Sequence, residues 1–280
     1  MNYSAASNKG LCRRDNEDSY LCRPENSLWL IADGMGGHEA GEVASAIVVE
    51  TVQKNITSGT SLVDAIKRSH ASVLDAAKNG VGAAGMGSTV VALQSGDEEY
   101  EVAWVGDSRA YLWTRDDQGG SLERLSTDHS YVQLLLETGA INEDEVENHP
   151  EKNIITQCIG SQDVDNIRVD TVKGHWDKQQ WILLCSDGLT DEINDELLAK
   201  TLCETDDINE AVNKLLKLAL EKGGRDNITL QIVETPLSTR RQGFNPWDWL
   251  PTIFGNRLWD SALYATALLC LLLLGFWIMI

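Results

Sequence analysis

The sequence predicts an α+β fold, a four-layer α-β-β-α sandwich in which two antiparallel sheets pack together and helices flank them. Three observations lead to this fold class. Short segments rich in β-branched and aromatic residues dominate the first 234 residues. Several of these segments are separated by only a few residues, which favours antiparallel hairpins over the long crossovers that parallel strands need. Long amphipathic helices separate the groups of strands.

Six segments are predicted to be strands because of their β-branched and aromatic content. Trp104, Trp113 and Trp181 lie within them and are interpreted as core or sheet-face residues. The six segments are 27–33, 88–94, 100–107, 109–114, 181–187 and 227–234.

The clearest helix covers 207–222, where apolar residues recur with the spacing of one helical face. Asp206 or Asp207 is placed to cap its start, and Gly223 follows its end. Two further helices are predicted at 39–54 and 61–78.

The C-terminal segment has a different composition from the rest of the chain. Residues 262–280 include 19 positions without a charge, enough for a helix rising about 1.5 Å per residue to cross a ~30 Å hydrocarbon core. Three arginines precede this run, which by the positive-inside rule places the N-terminal domain in the cytoplasm. We therefore expect a transmembrane helix over 257–280, in the inner (cytoplasmic) membrane. The arginines are Arg240, Arg241 and Arg257.

The remaining sequence divides into two parts. Residues 235–256 contain three of the five prolines and no periodicity, which is typical of a linker. Residues 1–234 carry all the predicted strands and amphipathic helices and are expected to form one globular domain. The N-terminus has no apolar core of the signal-peptide type, so this domain is not expected to be secreted.

Charge and cysteine content exclude several functions. The formal net charge is −20, and such an acidic surface repels phosphate backbones, so no nucleic-acid partner is expected. A site for phosphate esters would need cations bound locally to reverse the sign of the field. The six cysteines form no C-x-x-C pair, which argues against a zinc site and a disulfide framework.

Four aspartates lie at the ends of predicted strands, each close to a glycine. Asp33, Asp107 and Asp187 end predicted strands, and Asp226 precedes one. An isolated Asp-Gly pair is usually a turn, but this recurrence can bring four carboxylates to one end of the sandwich. Oxygen ligands of this kind suit Mg²⁺ or Mn²⁺. The spacing alone therefore predicts a metal-dependent enzyme, with phosphate chemistry as one option.

Seven short motifs occur in order along residues 1–234, and together they resemble the protein phosphatase 2C family in its bacterial form. A single such motif would be weak, but the ordered set is specific. The motifs are Arg13-Arg14-Asp15-Asn16-Glu17-Asp18, Asp33-Gly34-Met35-Gly36-Gly37-His38, Gly87-Ser88-Thr89, Gly106-Asp107-Ser108-Arg109-Ala110, Asp128-His129-Ser130, Cys185-Ser186-Asp187-Gly188-Leu189 and Gly224-Arg225-Asp226-Asn227.

The resemblance implies a centre of two Mn²⁺ or Mg²⁺ ions, with a third, weaker site. Asp33 would bridge the two ions, and the Gly34 carbonyl would complete one shell. Asp187 and Asp226 would be the other direct ligands. Asp107, together with Asp187, would form the third site.

It also implies roles for the first acidic motif and for a flap. Glu17 and Asp18 would hold metal-bound waters, and Arg13, rather than Arg14, would bind the substrate phosphate. Residues 126–160 resemble a flap beside the active site. The histidine that eukaryotic relatives use as general acid has no match here, which suggests a water on the third metal instead.

The function implied is hydrolysis of phosphoserine and phosphothreonine by a metal-activated water, reversing a Ser/Thr kinase. The partners would be phosphorylated proteins, namely that kinase or its substrates, and the membrane. Two alternatives stay open: a non-catalytic phosphoprotein-binding regulator on the same fold, and a hydrolase of small phosphate esters. Ser88, Ser186 and Cys185 need no catalytic role, and His70, His149 and His175 are predicted to be surface residues.

Overall fold

The computed structural model describes residues 1–36, 40–117, 119–146, 149–162 and 167–237. The strands in these ranges are β1 Tyr3–Asn8, β2 Asp18–Arg23, β3 Leu28–Met35, β4 Gly87–Ser88, β5 Val90–Ser95, β6 Glu99–Val105, β7 Arg109–Thr114, β8 Ser121–Arg124, β9 Asp170–His175, β10 Gln180–Cys185 and β11 Ile228–Glu234. The α-helices are α1 Ala40–Thr57, α2 Leu62–Lys78, α3 Tyr131–Glu137, α4 Glu143–Val146, α5 Asp187–Thr190, α6 Asp195–Cys203 and α7 Ile208–Lys222.

The strands form two antiparallel sheets. One sheet has the strand order β1-β11-β10-β7-β8, and the other has the order β2-β3-β5-β6-β9, with β4 paired to β3. Neighbours such as β5 and β6 are joined by a short turn, as the spacing of the sequence predicts. Others pair over long separations: β1 lies against β11, with Tyr3 opposite Val233. The ends of the domain therefore meet in one sheet.

Three layers of apolar contacts hold the sandwich together. Helices α1 and α2 cover the outer face of the six-stranded sheet, and residues such as Val48 and Ile66 are fully buried there. Helices α6 and α7 cover the outer face of the other sheet, with Leu198 and Leu215 in the contact. Between the sheets lies a third cluster that includes Trp29. Because successive strand side chains point to opposite faces, each sheet packs against helices on one face and against the other sheet on the opposite face.

The long helices begin where the sequence offers a capping side chain. Ser61 accepts a hydrogen bond from the Asp64 amide at the start of α2, and Asp207 accepts from the Asn209 and Glu210 amides at the start of α7. Such a cap satisfies amides that the first turn of a helix leaves free. The predicted boundaries of α7 are therefore confirmed to within one residue.

The predicted fold class is confirmed for the domain: two antiparallel sheets flanked by helices. Among the described helices, none is long and apolar enough to cross a membrane. The predicted transmembrane helix over 257–280, and the predicted linker from residue 238 onward, lie outside the described residues. Thr235, at the proposed start of that linker, is buried, and its amide bonds to the Gln180 carbonyl.

One histidine prediction is wrong. His70 is buried in α2 rather than exposed, and its Nδ1 accepts a hydrogen bond from the Gly160 amide at 3.1 Å. The reason is helical position, because His70 lies on the same face of α2 as Ile66 and Val73, which are both fully buried. His175 is exposed on β9, as predicted.

Candidate active site

The first acidic motif lies beside the end of β3 because of strand register. Asp18 begins β2 and pairs directly with Asp33 on β3. Just before it, the Glu17 carbonyl accepts from the Gly34 amide at 3.2 Å, and the Glu17 amide donates to Asn227 Oδ1 at 2.8 Å. Asn227 precedes β11, so the two sheets meet at this point. The carboxylates of both sheets are thereby brought to one end of the sandwich.

Asp33 lies at the centre of this carboxylate cluster. Burial raises the pKa of Asp33 well above its usual range, and the neighbouring Asp18, Asp187 and Asp107 raise it further. Asp187 shares a hydrogen bond with Asp33, and burial raises the pKa of Asp187 to about 6. Asp226 adds to that rise through its negative charge. Like charges held this close in a buried site need a proton or a cation between them.

Three oxygens in the cluster have no hydrogen-bond donor among the described residues. They are buried Oδ1 atoms of Asp18, Asp107 and Asp187. A buried carboxylate oxygen without a partner is costly, and proteins use such groups where an ion completes the site. An all-oxygen set of this kind suits Mn²⁺ or Mg²⁺. The residues present therefore fit the two-cation centre of the resemblance.

Two glycines let the backbone close in around the first acidic motif. A Cβ on Gly34 would overlap the carbonyl oxygen of Gly41 in α1 and would lie 2.6 Å from the Glu17 carbonyl oxygen. A Cβ on Gly41 would lie 2.8 Å from Glu17 Oε2. The Glu17 carboxylate is thus packed against α1, and burial raises its pKa. Side chains at either glycine would push this loop away from Asp33.

Arg13 reaches the cluster from the loop that precedes β2. Its Nη2 lies 2.6 Å from Asp226 Oδ2, and the charges of Asp187 and Asp33 also act on it. Arg14 points away, with 91% of its side chain exposed. The structure therefore places Arg13, and not Arg14, beside the carboxylates. Its role in binding phosphate stays a prediction.

Ser186 supports the carboxylate cluster through hydrogen bonds to Asp18 and to β11. It is fully buried, its Oγ donates to Asp18 Oδ2 at 2.9 Å, and it accepts from the Thr229 amide at 3.0 Å. Ser88 is also buried and donates to the Asp33 carbonyl. Ser88 thus holds the backbone at Asp33, and Ser186 holds the Asp18 carboxylate and the backbone of β11. These contacts agree with the structural role predicted for both serines.

The cluster opens into a cleft of about 930 Å³. Asp107 and Asp187 line this cleft, and part of its wall comes from α3 and α4 in the predicted flap. Lysine and arginine side chains on the walls are mostly paired with acids, such as Lys152 with Asp191 at 3.0 Å and Arg225 with Glu192 at 2.9 Å.

One partly buried ion pair that lines the cleft was given no role in the sequence analysis. Arg109 bonds to Asp128 through Nε and Nη2, the latter at 2.8 Å, and Arg124 also contacts Asp128. Tyr111 donates to Asp195 at 2.9 Å and accepts from Arg109 at 3.4 Å. This network links β7 and β8 to α6 behind Asp107. The only signal for it in the sequence was that Arg109 and Asp128 both lie in recognised motifs.

The structure brings the predicted site residues together without a preformed ligand cage. Over the described ranges, no three His, Cys, Asp or Glu side chains are already arranged to hold one ion. The individual ligand roles of the aspartates and of Gly34 therefore stay predictions. Three local expectations need correction. Asp33 lies inside β3, two residues before its end at Met35, and Asp107 lies two residues beyond the end of β6 at Val105. Asp187 does not end a strand either, since β10 ends at Cys185 and Asp187 begins α5. The turn into α5 directs its carboxylate towards Asp33.

Comparison with known proteins gives consistent results. Residues 5–222 match the model of the family described as protein phosphatase 2C. The chain is 32% identical over 253 residues to the serine/threonine phosphatase stp of Listeria monocytogenes, covering 86% of this chain and 98% of that protein. The catalytic domain of the serine/threonine protein phosphatase PstP, solved with two manganese ions, aligns with a TM-score of 0.71 and 30% identity, covering 82% of this chain and 96% of that one. PppA of Pseudomonas aeruginosa aligns with a TM-score of 0.69 and 34% identity, covering 83% and 96%.

An α-β-β-α sandwich with clustered aspartates at one end and an adjacent arginine defines a metal-dependent phosphatase. The family model spans most of the chain, and the alignment with the Listeria enzyme spans nearly all of that relative. The chain belongs to the protein phosphatase 2C family, among its bacterial serine/threonine phosphatases, and the cofactor of this family is Mn²⁺ or Mg²⁺.

Proposed function

We propose that this chain hydrolyses phosphoserine and phosphothreonine in proteins, and so reverses the action of a Ser/Thr kinase. The observation that carries the proposal is the convergence of Asp33, Asp187 and Asp226 beside Arg13, next to an open cleft that Asp187 lines. A cleft of about 930 Å³ is large enough to admit a phosphorylated segment of a protein. The names of the relatives support the same substrate class.

The residues of the chain would have three roles: binding cations, orienting water and binding the phosphate. Asp33, Asp187 and Asp226 would hold the two cations, and Asp107 with Asp187 would hold a third. Bound Mn²⁺ or Mg²⁺ supplies Lewis-acid chemistry, because it lowers the pKa of water and offsets charge on phosphoryl oxygens. Glu17 is packed against α1, and Asp18 accepts a hydrogen bond from Ser186. Both carboxylates would orient water in the site.

Arg13 would bind the phosphate itself. Its guanidinium already lies at hydrogen-bond distance from one oxyanion, the Asp226 carboxylate, at 2.6 Å. A guanidinium forms paired hydrogen bonds with phosphate as it does with carboxylate. Arg13 would therefore orient the phosphorus towards the carboxylate cluster and stabilise negative charge as the ester bond breaks.

The alternatives predict different results. A non-catalytic regulator would be expected to lack a ligand aspartate, and Asp33, Asp107, Asp187 and Asp226 are all present. A small-ester hydrolase would prefer p-nitrophenyl phosphate to a phosphopeptide. The test compares kcat/KM for a phosphothreonine peptide and for p-nitrophenyl phosphate in Mn²⁺. A preference for the peptide supports the proposal, and activity on the small ester alone contradicts it.

Membrane attachment is a separate proposal. The uncharged run over 262–280 is long enough to span a bilayer, and the arginines before it favour a cytoplasmic position for the phosphatase domain. We propose a catalytic domain over 1–234, a linker over 235–256 and a transmembrane helix over 257–280 in the inner membrane. The substrates would then be phosphoproteins close to that membrane, such as a kinase or its targets.

A further inference from the structure

His129 binds both backbone polar groups of Gly106, the residue before Asp107. Its Nδ1 accepts from the Gly106 amide at 3.1 Å, and its own amide donates to the Gly106 carbonyl at 2.9 Å. The two residues are therefore joined by a reciprocal pair of hydrogen bonds. The side chain of His129 is mostly buried, with 12% of it exposed, so water cannot readily replace these bonds.

The remaining contacts of His129 define its tautomer and fix the orientation of its ring. Nδ1 also lies 3.0 Å from Gln157 Nε2, and an Nδ1 that receives two N–H groups must be unprotonated. The proton therefore lies on Nε2, which is 3.3 Å from Asp170 Oδ2 on β9. Arg168 holds Asp170 through a two-bond contact. The imidazole is thus fixed on both sides by charged and polar partners.

The hydrogen bonds from His129 matter at Gly106 because a glycine backbone can adopt many conformations. Its φ of +105° lies in the region that only glycine adopts readily, and a Cβ there would lie 2.7 Å from the Thr89 side chain. Without a side chain, nothing on Gly106 itself fixes the adjoining peptide planes. Asp107, the next residue, is 8% exposed and has an orphaned Oδ1 in the carboxylate cluster. The orientation of Asp107 therefore depends on how Gly106 is held.

The same histidine joins the two ends of the flap. The segment that leads into α3 begins at His129, and the returning segment donates from the Thr156 amide to the His129 carbonyl at 2.8 Å. Ser130 and Ile155 form an isolated β-bridge beside it. The base of the flap and the Asp107 turn are therefore connected through one residue.

We propose that His129 is a positioning residue that sets the Gly106–Asp107 turn, and thereby the Asp107 carboxylate, and couples this turn to the base of the flap. This inference rests on the proposed function only in giving Asp107 a role in the active site. His129 does not touch the reacting atoms, so it acts through Gly106.

Two substitutions separate positioning from simple structural support. The Oδ1 of asparagine can occupy the place of Nδ1, so His129→Asn keeps the acceptor for the Gly106 amide and loses the Asp170 contact. Glutamine places its amide near Nε2, so His129→Gln keeps the Asp170 contact and loses the Gly106 acceptor. His129→Asn loses one side-chain contact and His129→Gln loses two, because Gln157 Nε2 also contacts Nδ1. The deciding readouts are therefore local to Gly106 and Asp107 rather than overall stability. His175→Gln, at an exposed position on β9, is the matched control.

The first measurement is amide hydrogen exchange at Gly106 in the full-length protein, which does not depend on phosphatase activity. We expect exchange to become about tenfold faster or more in His129→Gln and to stay near the parent rate in His129→Asn and His175→Gln. Equal exchange in the Gln and Asn variants would overturn the positioning role. Failure of the parent to hydrolyse phosphopeptide would instead overturn the proposed function and leave this result standing.

The second measurement is a double-mutant cycle on kcat and on the Mn²⁺ concentration for half-maximal activity. His129→Gln should lower kcat about tenfold or raise the Mn²⁺ requirement by a similar factor, whereas His129→Asn should retain most of the parent value. In the Asp107→Ala background, His129→Gln should have little further effect, because its target is already removed. Full additivity of the two substitutions would contradict the proposal.

Discussion

Arg13 and Asp226 lie 213 positions apart in the sequence, yet Arg13 Nη2 is 2.6 Å from Asp226 Oδ2. The contact joins the loop before β2 to the turn before β11, and so connects the two sheets at the end that carries the carboxylates. Both side chains are partly exposed, at 54% and 33%, so the pair itself contributes little to the stability of the fold. Its importance is that it places a guanidinium beside the buried carboxylates.

The first prediction concerns phosphate binding by Arg13. Arg13→Ala should mainly raise KM for a phosphothreonine peptide, about tenfold or more, because a charge-assisted contact worth ~1.5–3 kcal/mol is lost. Arg14→Ala is the matched control and should leave KM unchanged, since Arg14 is 91% exposed. Steady-state kinetics in saturating Mn²⁺ measure both. If Arg14→Ala were the sensitive variant, the assignment of this motif would be wrong.

The second prediction concerns the cations. Asp33→Ala and Asp226→Ala should each reduce activity to near background while circular dichroism shows a folded domain. EDTA should inactivate the parent, and added Mn²⁺ should restore it but not the variants. Asp97→Asn, in the exposed turn between β5 and β6, should behave as the parent does. Full activity of the parent in EDTA would exclude the metal mechanism.

The sequence predicts best those elements whose signal is local. The apolar runs of β3, β10 and β11 and the amphipathic face of α7 appear within a few residues of their predicted limits. These segments bury their own apolar side chains, so their pattern carries the information.

The edge strands could not be predicted in this way. β1 has the sequence YSAASN, and its residues are at most partly buried. It forms a strand because β11 offers a partner, in the register Tyr3 to Val233. β9 likewise alternates between partly buried and exposed residues and pairs with β6. Pairing over such distances is a tertiary effect that local propensity does not report.

The sequence predicted only part of the site, because several of its contacts also join residues that are far apart in the chain. Aspartates at strand ends indicated a carboxylate cluster, but only the family resemblance selected Arg13 over Arg14. The link from His129 to Gly106 spans 23 positions and uses backbone groups, so no pattern of residue types could reveal it. The burial of His70 was not predicted either. Histidine is a polar residue type, and the sequence alone does not show that this position of α2 faces the core.

The third prediction concerns the membrane. If 257–280 spans the bilayer, the full-length protein should fractionate with membranes and resist extraction by carbonate or high salt, because apolar burial rather than charge holds it. A chain ending at Leu237 should be soluble and fully active. It keeps β11 and the bond from the Thr235 amide to Gln180. Recovery of the full-length protein as a soluble monomer without detergent would refute the anchor.

The fourth prediction concerns the stability of the metal-free domain, measured on the chain ending at Leu237. Burial raises the pKa of Asp18 to about 7, and burial raises the pKa of Asp187 to about 6, both from 3.8. A carboxyl group with a raised pKa binds its proton more tightly in the folded state than in the unfolded state. Its contribution to folding is therefore greatest below pH 4 and is lost as the pH rises towards the folded-state pKa.

In EDTA, we therefore expect Tm to fall between pH 5 and pH 7.5, with Asp18 accounting for a change on the order of 4 kcal/mol or less. Asp18→Asn removes the titrating group and should flatten this part of the profile. Glu192, whose pKa the hydrogen bond from Arg225 lowers, loses its contribution only below this window, as the pH falls. Mn²⁺ should raise Tm of the parent more at pH 7.5 than at pH 5, since the cations replace the protons that the carboxylates lose. Thermal unfolding followed by circular dichroism measures each of these quantities, and parallel pH profiles for the parent and Asp18→Asn in EDTA would show that the cluster is not under electrostatic strain.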